Sequence, residues 1–315
     1  MYKFVQYIGY TLICTIGMIC LVFLGLVYSP RGTFADSYQS VIQIKYDNLL
    51  ETNEPKIIIV GGSSAGFGIN EPLLEKETGY KVVNLGLHAG FGGLFNTELA
   101  KANINTGDIV LLGYEYGWHN EGYFEKLKVD MVMSAIDHRI DMYRQIPLKN
   151  YPEVLGYLFT YAEQKRLYPK NAAGVYSRAA FNEKGQMIYN REKYVIEDYK
   201  NNIDIYGAVN LSGISISQSS IKYLKRFKEF VKRKGVAVYF IAPPLLEDAN
   251  ACEFSDYQDL KSLEEDNIGI PYISDPVEYI FPEEYMFDTI YHCNNKGEIY
   301  RTKLLIKDLE KVLTK

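Results

Sequence analysis

Histidine, cysteine and tryptophan are scarce in this sequence, at four, four and one among 315 residues. Four cysteines make no disulfide framework, and no spacing of Cys and His resembles a zinc site. Cys14 and Cys20 fall in an apolar segment, where they act as small hydrophobes. Cys252 and Cys293 remain, with free thiols as the default and a disulfide between them as the alternative in an oxidising compartment. Basic charge is not in excess: the net charge is -5, so nucleic acid is excluded as the expected partner. No low-complexity run and no fixed-period repeat is present, which argues against a disordered or solenoid chain. The P-loop Lys-Ser/Thr is absent, and the dinucleotide fingerprint fails because its third glycine would be Glu71. Neither a cofactor nor a metal is implied.

Two features are abundant. Residues 7–28, YIGYTLICTIGMICLVFLGLVY, carry no charge. About 20 apolar residues cross a bilayer core, whereas a signal peptide has an apolar region of about 7–15. A retained anchor over residues 1–30 is therefore expected, with Thr33-Phe34-Ala35 as the alternative cleavage site. Lys3 before the span and Arg31 and Lys45 after it do not settle orientation. A lone N-terminal anchor before a large body gives the expectation of a cytoplasmic N-terminus and an extracytoplasmic body. Tyrosine is the other excess, at 28 residues. Tyr-rich surfaces suit sugars, because the ring stacks and the hydroxyl bonds; a compositional habit of the source accounts for the count equally well.

Residues 31–54 read as a polar juxtamembrane linker, and 55–315 as an α/β domain. KIIIV (56–60), YKVVNLG (80–86), GDIVLLGYEY (107–116) and VAVYFIAPP (236–244) read as strands, with PYIS (271–274) as a short fifth. Helices are expected from Asn70, over 94–104, over 218–234 and from Asn295 to Leu313. This alternation predicts a mostly parallel sheet with helices on both faces. Residues 117–215 break the rhythm. They read as an insertion over the C-terminal edge of the sheet, with a separate second domain as the weaker alternative.

The stretch GGSSAGFGI, 61–69, follows the first strand. Its glycines allow a tight turn and a close approach of backbone to ligand. A serine at that point is either a nucleophile at the mouth of a site or part of a polar turn, and such a turn also suits a phosphate. A nucleophilic serine needs a base, and the base needs an acid to fix its tautomer. FDTIYHCNNKGEIYRT, 287–302, supplies Asp288 and His292 just before the last helix. His88, in a glycine-rich loop after the second strand, is placed to line the site; His119 and His138 have weaker claims.

These blocks resemble the SGNH (GDSL-type) hydrolases. The resemblance is closest to the membrane-anchored extracytoplasmic branch that includes alginate O-acetylation proteins and the DltD-type proteins of teichoic-acid D-alanylation. It covers about residues 55–115 and 218–313. In the register Gly62-Ser63-Ser64-Ala65-Gly66-Phe67-Gly68 it implies Ser64 as nucleophile. Asn84-Leu85-Gly86, running on to Gly90, matches the second block and implies backbone N–H donors for an oxyanion. His292 is the implied base and Asp288 its orienter, with one residue more between them than in the family. The third block departs from the family: Gly113-Tyr114-Glu115-Tyr116 stands where the family has Gly-x-Asn-Asp. A carboxylate cannot donate unless protonated, so Glu115 is expected to bind substrate or to hold His292. The resemblance implies an α/β three-layer sandwich of SGNH/flavodoxin-like type. It implies a serine acyl-enzyme that transfers or removes acyl groups on a cell-surface glycan, and a multipass membrane acyltransferase as partner. The alternatives are a non-catalytic glycan-binding or scaffold subunit, and a plain carbohydrate or lipid esterase.

Overall fold

The computed structural model of the protein describes residues 2–119, 124–192 and 207–313. Parts of the expected insertion, 120–123 and 193–206, lie outside the described residues. At the centre is a sheet of four parallel strands, β1 (Lys56–Gly61), β2 (Lys81–Asn84), β3 (Ile109–Gly113) and β4 (Ala237–Phe240), in the order β2-β1-β3-β4. Successive strand side chains point to opposite faces. Ile58, Val60, Val110 and Leu112 therefore join one apolar cluster, and Ile57, Ile59, Ile109 and Leu111 join another. Both clusters are buried, which is why β1 and β3 read as continuous apolar runs without alternation.

The helices follow local chemistry. The Asn70 side chain accepts the Leu73 N–H at 2.9 Å and starts α4 (Glu71–Thr78), which also carries Pro72 in its first turn. The Ser217 side chain accepts the Ser220 N–H and starts α9 (Gln218–Arg233); Gly235, at φ 71°, follows its end. The last helix, α11 (Asn295–Leu313), puts Leu305 and Leu309 into the Ile57–Ile59 cluster with Leu74 of α4. On the other face α9 contributes Leu224, Phe227 and Val231. Between them in sequence lie α3 (Ser63–Gly68), α5 (Gly93–Ala100), α6 (Val129–Ala135), α7 (Ile140–Tyr143), α8 (Tyr151–Leu167) and α10 (Phe254–Ile268).

Two expectations are corrected, and one alternative falls. The fifth strand is a single parallel bridge between Tyr272 and Phe240. A separate two-strand pair instead joins β5 (Leu245–Leu246) to β6 (Ile280–Phe281). The segment 31–54 is not a free linker: Val41–Glu51 forms a helix, α2, and Val41, Ile42, Tyr46 and Leu49 are fully buried in the main cluster. The described part of 117–215 is not a separate domain, since Val132, Met133, Val154 and Tyr161 belong to the same cluster as Val110 and Leu112.

The N-terminal helix, α1 (Tyr2–Val27), has a mean hydropathy of 2.4 over its most apolar window and is almost wholly exposed, so it is long and apolar enough to cross a membrane. Its C-terminal end is built into the body. The Lys165 ammonium, fully buried on α8, donates to the Val27 carbonyl at 2.7 Å and pairs with Asp137 at 2.9 Å. Asp137 also accepts the Phe34 N–H and the Tyr161 hydroxyl.

The buried face of α2 is testable. Ile42→Ala is expected to cost about 2–4 kcal/mol, as a buried aliphatic truncation does. A residue in a solvated linker would change stability by less than about 0.5 kcal/mol. Urea unfolding of the detergent-solubilised chain separates the two.

Candidate active site

Strand order reverses between β1 and β3, and in open parallel sheets ligands bind outside the C-terminal ends of strands at such a point. Here the loops after β1 and β3, the His292 loop and residues 207–215 enclose a cavity of about 1000 Å³. The β1–α3 turn is glycine-rich for a steric reason. A Cβ on Gly61 would sit 2.3 Å from the Gly113 carbonyl oxygen, and one on Gly62 would sit 2.4 Å from the Glu115 carboxylate. With the backbone so close, α3 starts at the floor of the cavity.

The two serines of α3 diverge. Ser63 lines the cavity and is half-buried. Ser64 is fully buried, its Oγ has no hydrogen-bond partner, and it is not part of the cavity wall. The expectation of Ser64 as the cavity serine is thus off by one residue. Successive helical residues point about 100° apart, so only one of the pair faces ligand.

Asp288 and His292 come together as expected. His292 Nδ1 lies 2.7 Å from Asp288 Oδ1 despite the longer spacing. The extra residue is absorbed in a turn: the His292 N–H donates to Thr289 Oγ1 at 3.1 Å, and the Phe287 N–H donates to the His292 carbonyl at 2.8 Å. The imidazole stacks on Phe67 of α3, centroids 4.0 Å apart and planes 8° from parallel. A third member was not anticipated. The Tyr176 hydroxyl donates to Asp288 Oδ2, the carboxylate oxygen that His292 does not use, and lies 3.4 Å from His292 Nδ1. Burial works to raise the Asp288 pKa, but His292 and the Tyr176 hydroxyl outweigh it and hold the carboxyl below its ordinary value. Burial, with the charge of Asp288, pushes Tyr176 well up, so it stays a neutral donor.

Three backbone donors at the expected oxyanion positions are engaged within the chain. The Ser64 N–H donates to Glu115 Oε1 at 2.9 Å, the Gly86 N–H to Asn84 Oδ1 at 2.9 Å, and the Gly90 N–H to His88 Nδ1 at 2.8 Å. Neither Gly86 nor Gly90 reaches the cavity wall, whereas His88 and Glu115 do. Gly86 has a packing role, since a Cβ there would lie 2.5 Å from that of Ala65. Glu115 does not hold His292; its carboxylate sits against the start of α3.

Two buried arginines fix this assembly. Arg301 of α11 donates to the Ser64 carbonyl at 2.6 Å and to Ala242 after β4 at 3.2 Å. Arg191 donates to the carbonyls of Phe67 and Cys293, at 2.6 and 2.8 Å, and pairs with Glu298. His119 also lines the cavity, but both its ring nitrogens are committed, to the Tyr116 carbonyl and to Glu264. His138 sits away from the cavity, beside Lys165. Cys252 and Cys293 are free thiols, and burial pushes Cys293 up to about 12. Among the described residues no group of three His, Cys, Asp or Glu is placed to hold a metal ion. No protein-family model and no curated protein matches the chain.

His88 gives a pH test. Burial, with the charges of Lys128 and His292, lowers its pKa to about 4. The unfolded chain takes up that proton near its ordinary pKa of about 6.5. Stability is therefore lost as pH falls from about 6.5 towards about 4, because the unfolded state binds a proton that the folded state refuses. His88→Gln removes this term and is expected to lose on the order of 2 kcal/mol less than the parent chain between pH 7 and 4. Denaturant titrations across that range, showing equal losses in both, would refute a neutral buried His88.

Proposed function

We propose that this chain is a membrane-anchored SGNH-type acyl-ester enzyme with a three-layer α/β body, and that Ser63 is its nucleophile. The observation that carries the reading is the Asp288–His292 pair at 2.7 Å on the wall of the cavity that Ser63 also lines. Asp288 engages Nδ1, so the free Nε2 is the base. Ser63 Oγ gives its proton to Nε2 and forms a bond to the acyl carbon. The tetrahedral adduct collapses, the ester C–O bond breaks, and His292 returns the proton to the leaving oxygen. A sugar hydroxyl or water then reverses the steps on the acyl-enzyme. Tyr38, Tyr116, Tyr176 and Tyr291 on the cavity wall give it the aromatic character that suits stacking against a pyranose.

The anchor sets the location in this reading. α1 stays attached because the segment beyond it is structural: Phe34, the middle residue of the Thr33-Phe34-Ala35 triplet, is buried against Tyr161 and Tyr168. The body lies outside the cell membrane with the N-terminus in the cytoplasm, its substrate is an acylated cell-surface glycan, and a multipass acyltransferase supplies the acyl group.

One observation favours a second reading, a non-catalytic glycan-binding or scaffold subunit. Glu115, in place of an asparagine, takes the Ser64 N–H, so the backbone donors expected for an oxyanion are filled. A serine-reactive fluorophosphonate decides between the two. The enzyme reading expects labelling of the full chain that Ser63→Ala abolishes and Ser64→Ala retains. No labelling of the parent chain supports the binding subunit, and loss only in Ser64→Ala would restore Ser64 as the nucleophile.

Tyr176 acts through Asp288 and is a positioning residue. Tyr176→Phe keeps the ring but removes one hydrogen bond from the carboxylate. It is expected to lower the labelling rate about tenfold, in the range of a charge-assisted bond of roughly 1.5 kcal/mol. The same change moves the acid limb of the rate–pH profile, whereas a purely structural role would leave the profile in place.

A further inference from the structure

We infer that the face formed by α7, the following loop and the start of α8 lies in the bilayer interface beside α1, so that the body is held to the lipid by a second contact. The inference rests on α1 being membrane-spanning.

The depth of this face follows from contacts already fixed. Lys165, near the end of α8, touches the last carbonyl of α1, that of Val27. Phe23, one turn nearer the middle of α1, packs edge-to-face on Tyr143 of α7 with centroids 5.0 Å apart. The Tyr143 carbonyl in turn accepts the Tyr151 hydroxyl from the first residue of α8. The end of α8 is thus level with the end of α1, while its start lies level with the preceding turn. α1 has 26 residues, about 39 Å at 1.5 Å per residue, against about 30 Å for a hydrocarbon core. Its charge-free part, residues 7–27, is about 32 Å long, so its last turn reaches the headgroup boundary, where α7 and α8 meet it.

The surface chemistry changes with that depth. Leu148 is 86% exposed, Phe159 72%, Ile140 43% and Leu155 39%. Leu148, Pro152, Leu155 and Phe159 fall on one stripe at helical spacing, and all are exposed. The same stripe continues as Glu163 and Arg166 at the end that reaches Val27. It is apolar where the contacts place it deepest and charged where they place it in water. Arg144 and Lys149 are exposed beside the apolar end, as cations at a headgroup level would be. The opposite side of α8, with Val154, Leu158 and Tyr161, is packed into the body, so the exposed stripe has no partner among the described residues.

Tryptophan reporters in the full chain, reconstituted alone into phosphatidylcholine vesicles, test this. Trp118 is buried and gives the same background in every sample. The acyl chains are brominated near the glycerol end, so quenching reports contact with the upper hydrocarbon. Phe159→Trp is expected to lose about half its emission in brominated vesicles, as a side chain buried 5–10 Å into the interface would. Phe254→Trp, exposed on α10 and away from α1 and α8, is expected to lose none. Leu12→Trp, within α1, checks the anchor separately. Quenching at Leu12→Trp without quenching at Phe159→Trp overturns the inference and leaves the stripe free for a membrane protein. Absence of quenching at both overturns the anchor reading and the inference with it.

Discussion

Arg301 is the interaction on which the rest of this site depends. Its guanidinium is fully enclosed and reaches the Ser64 carbonyl, 237 positions away in sequence, and the Ala242 carbonyl beyond β4. A buried carbonyl left without a donor costs about 1–3 kcal/mol. The arginine therefore ties the serine helix, the end of β4 and the last helix into one unit. Gly68 is the complementary requirement, since a Cβ there would lie 2.5 Å from the Arg301 Nη1. Arg191 repeats the device from the insertion. By bonding to the carbonyls of Phe67 and Cys293 it joins the end of α3 to the residue after His292. The imidazole stacks on Phe67 between these two clamps. The serine helix and the histidine loop are held together by backbone carbonyls that share donors.

The insertion is consequently part of the site. It supplies Arg191, Tyr176 and the wall at 207–215, and through Tyr161, Lys165 and Asp137 it also grips the end of α1. A rigid path runs from the apolar helix through α8 to the cavity. In the proposed role on an envelope polymer, this path would hold the cavity at a fixed height and orientation to the membrane. A flexible linker would fix neither.

Much of the sheet was legible because burial on both faces leaves a plain signal: IIIV and IVLL have no polar alternation to misread. Asn70 and Gly235 were legible because capping is local. The pairing of Asp288 with His292 was legible from chemistry, since histidine is scarce and this one, with an acid four positions before it, stands in a loop leading into the last helix. The serine register was not. Ser63 and Ser64 are chemically identical neighbours, and which one faces ligand depends on the angle at which α3 leaves β1. That angle is set by Gly62 against Glu115 and by Arg301 behind Ser64. Helix α2 carried a readable signal, with Val41, Ile42, Lys45, Tyr46 and Leu49 on one face, but polar residues between them gave the segment the composition of a linker. Tyr176 and Arg191 left no signal, because their partners lie more than a hundred positions away.

Glu115 gives the site its internal tension. Its carboxylate takes the Ser64 N–H at the start of α3, with Ser63 alongside. An oxyanion formed on a Ser63 adduct would seek the same positive region. Two negative groups a few ångströms apart in a low-dielectric site repel by several kcal/mol. A tetrahedral intermediate at Ser63 thus requires Glu115 to swing away from the start of α3. On the proposed SGNH-type reading, glutamate at this position therefore leaves two self-consistent states. One is a resting site closed by its own carboxylate, which a bound acyl group opens. The other is a binding cleft in which the carboxylate is permanent and recognises sugar hydroxyls. The positions of Arg301, Phe67 and His292 are common to both, so the fold supports the site in either state and the position of one side chain separates them.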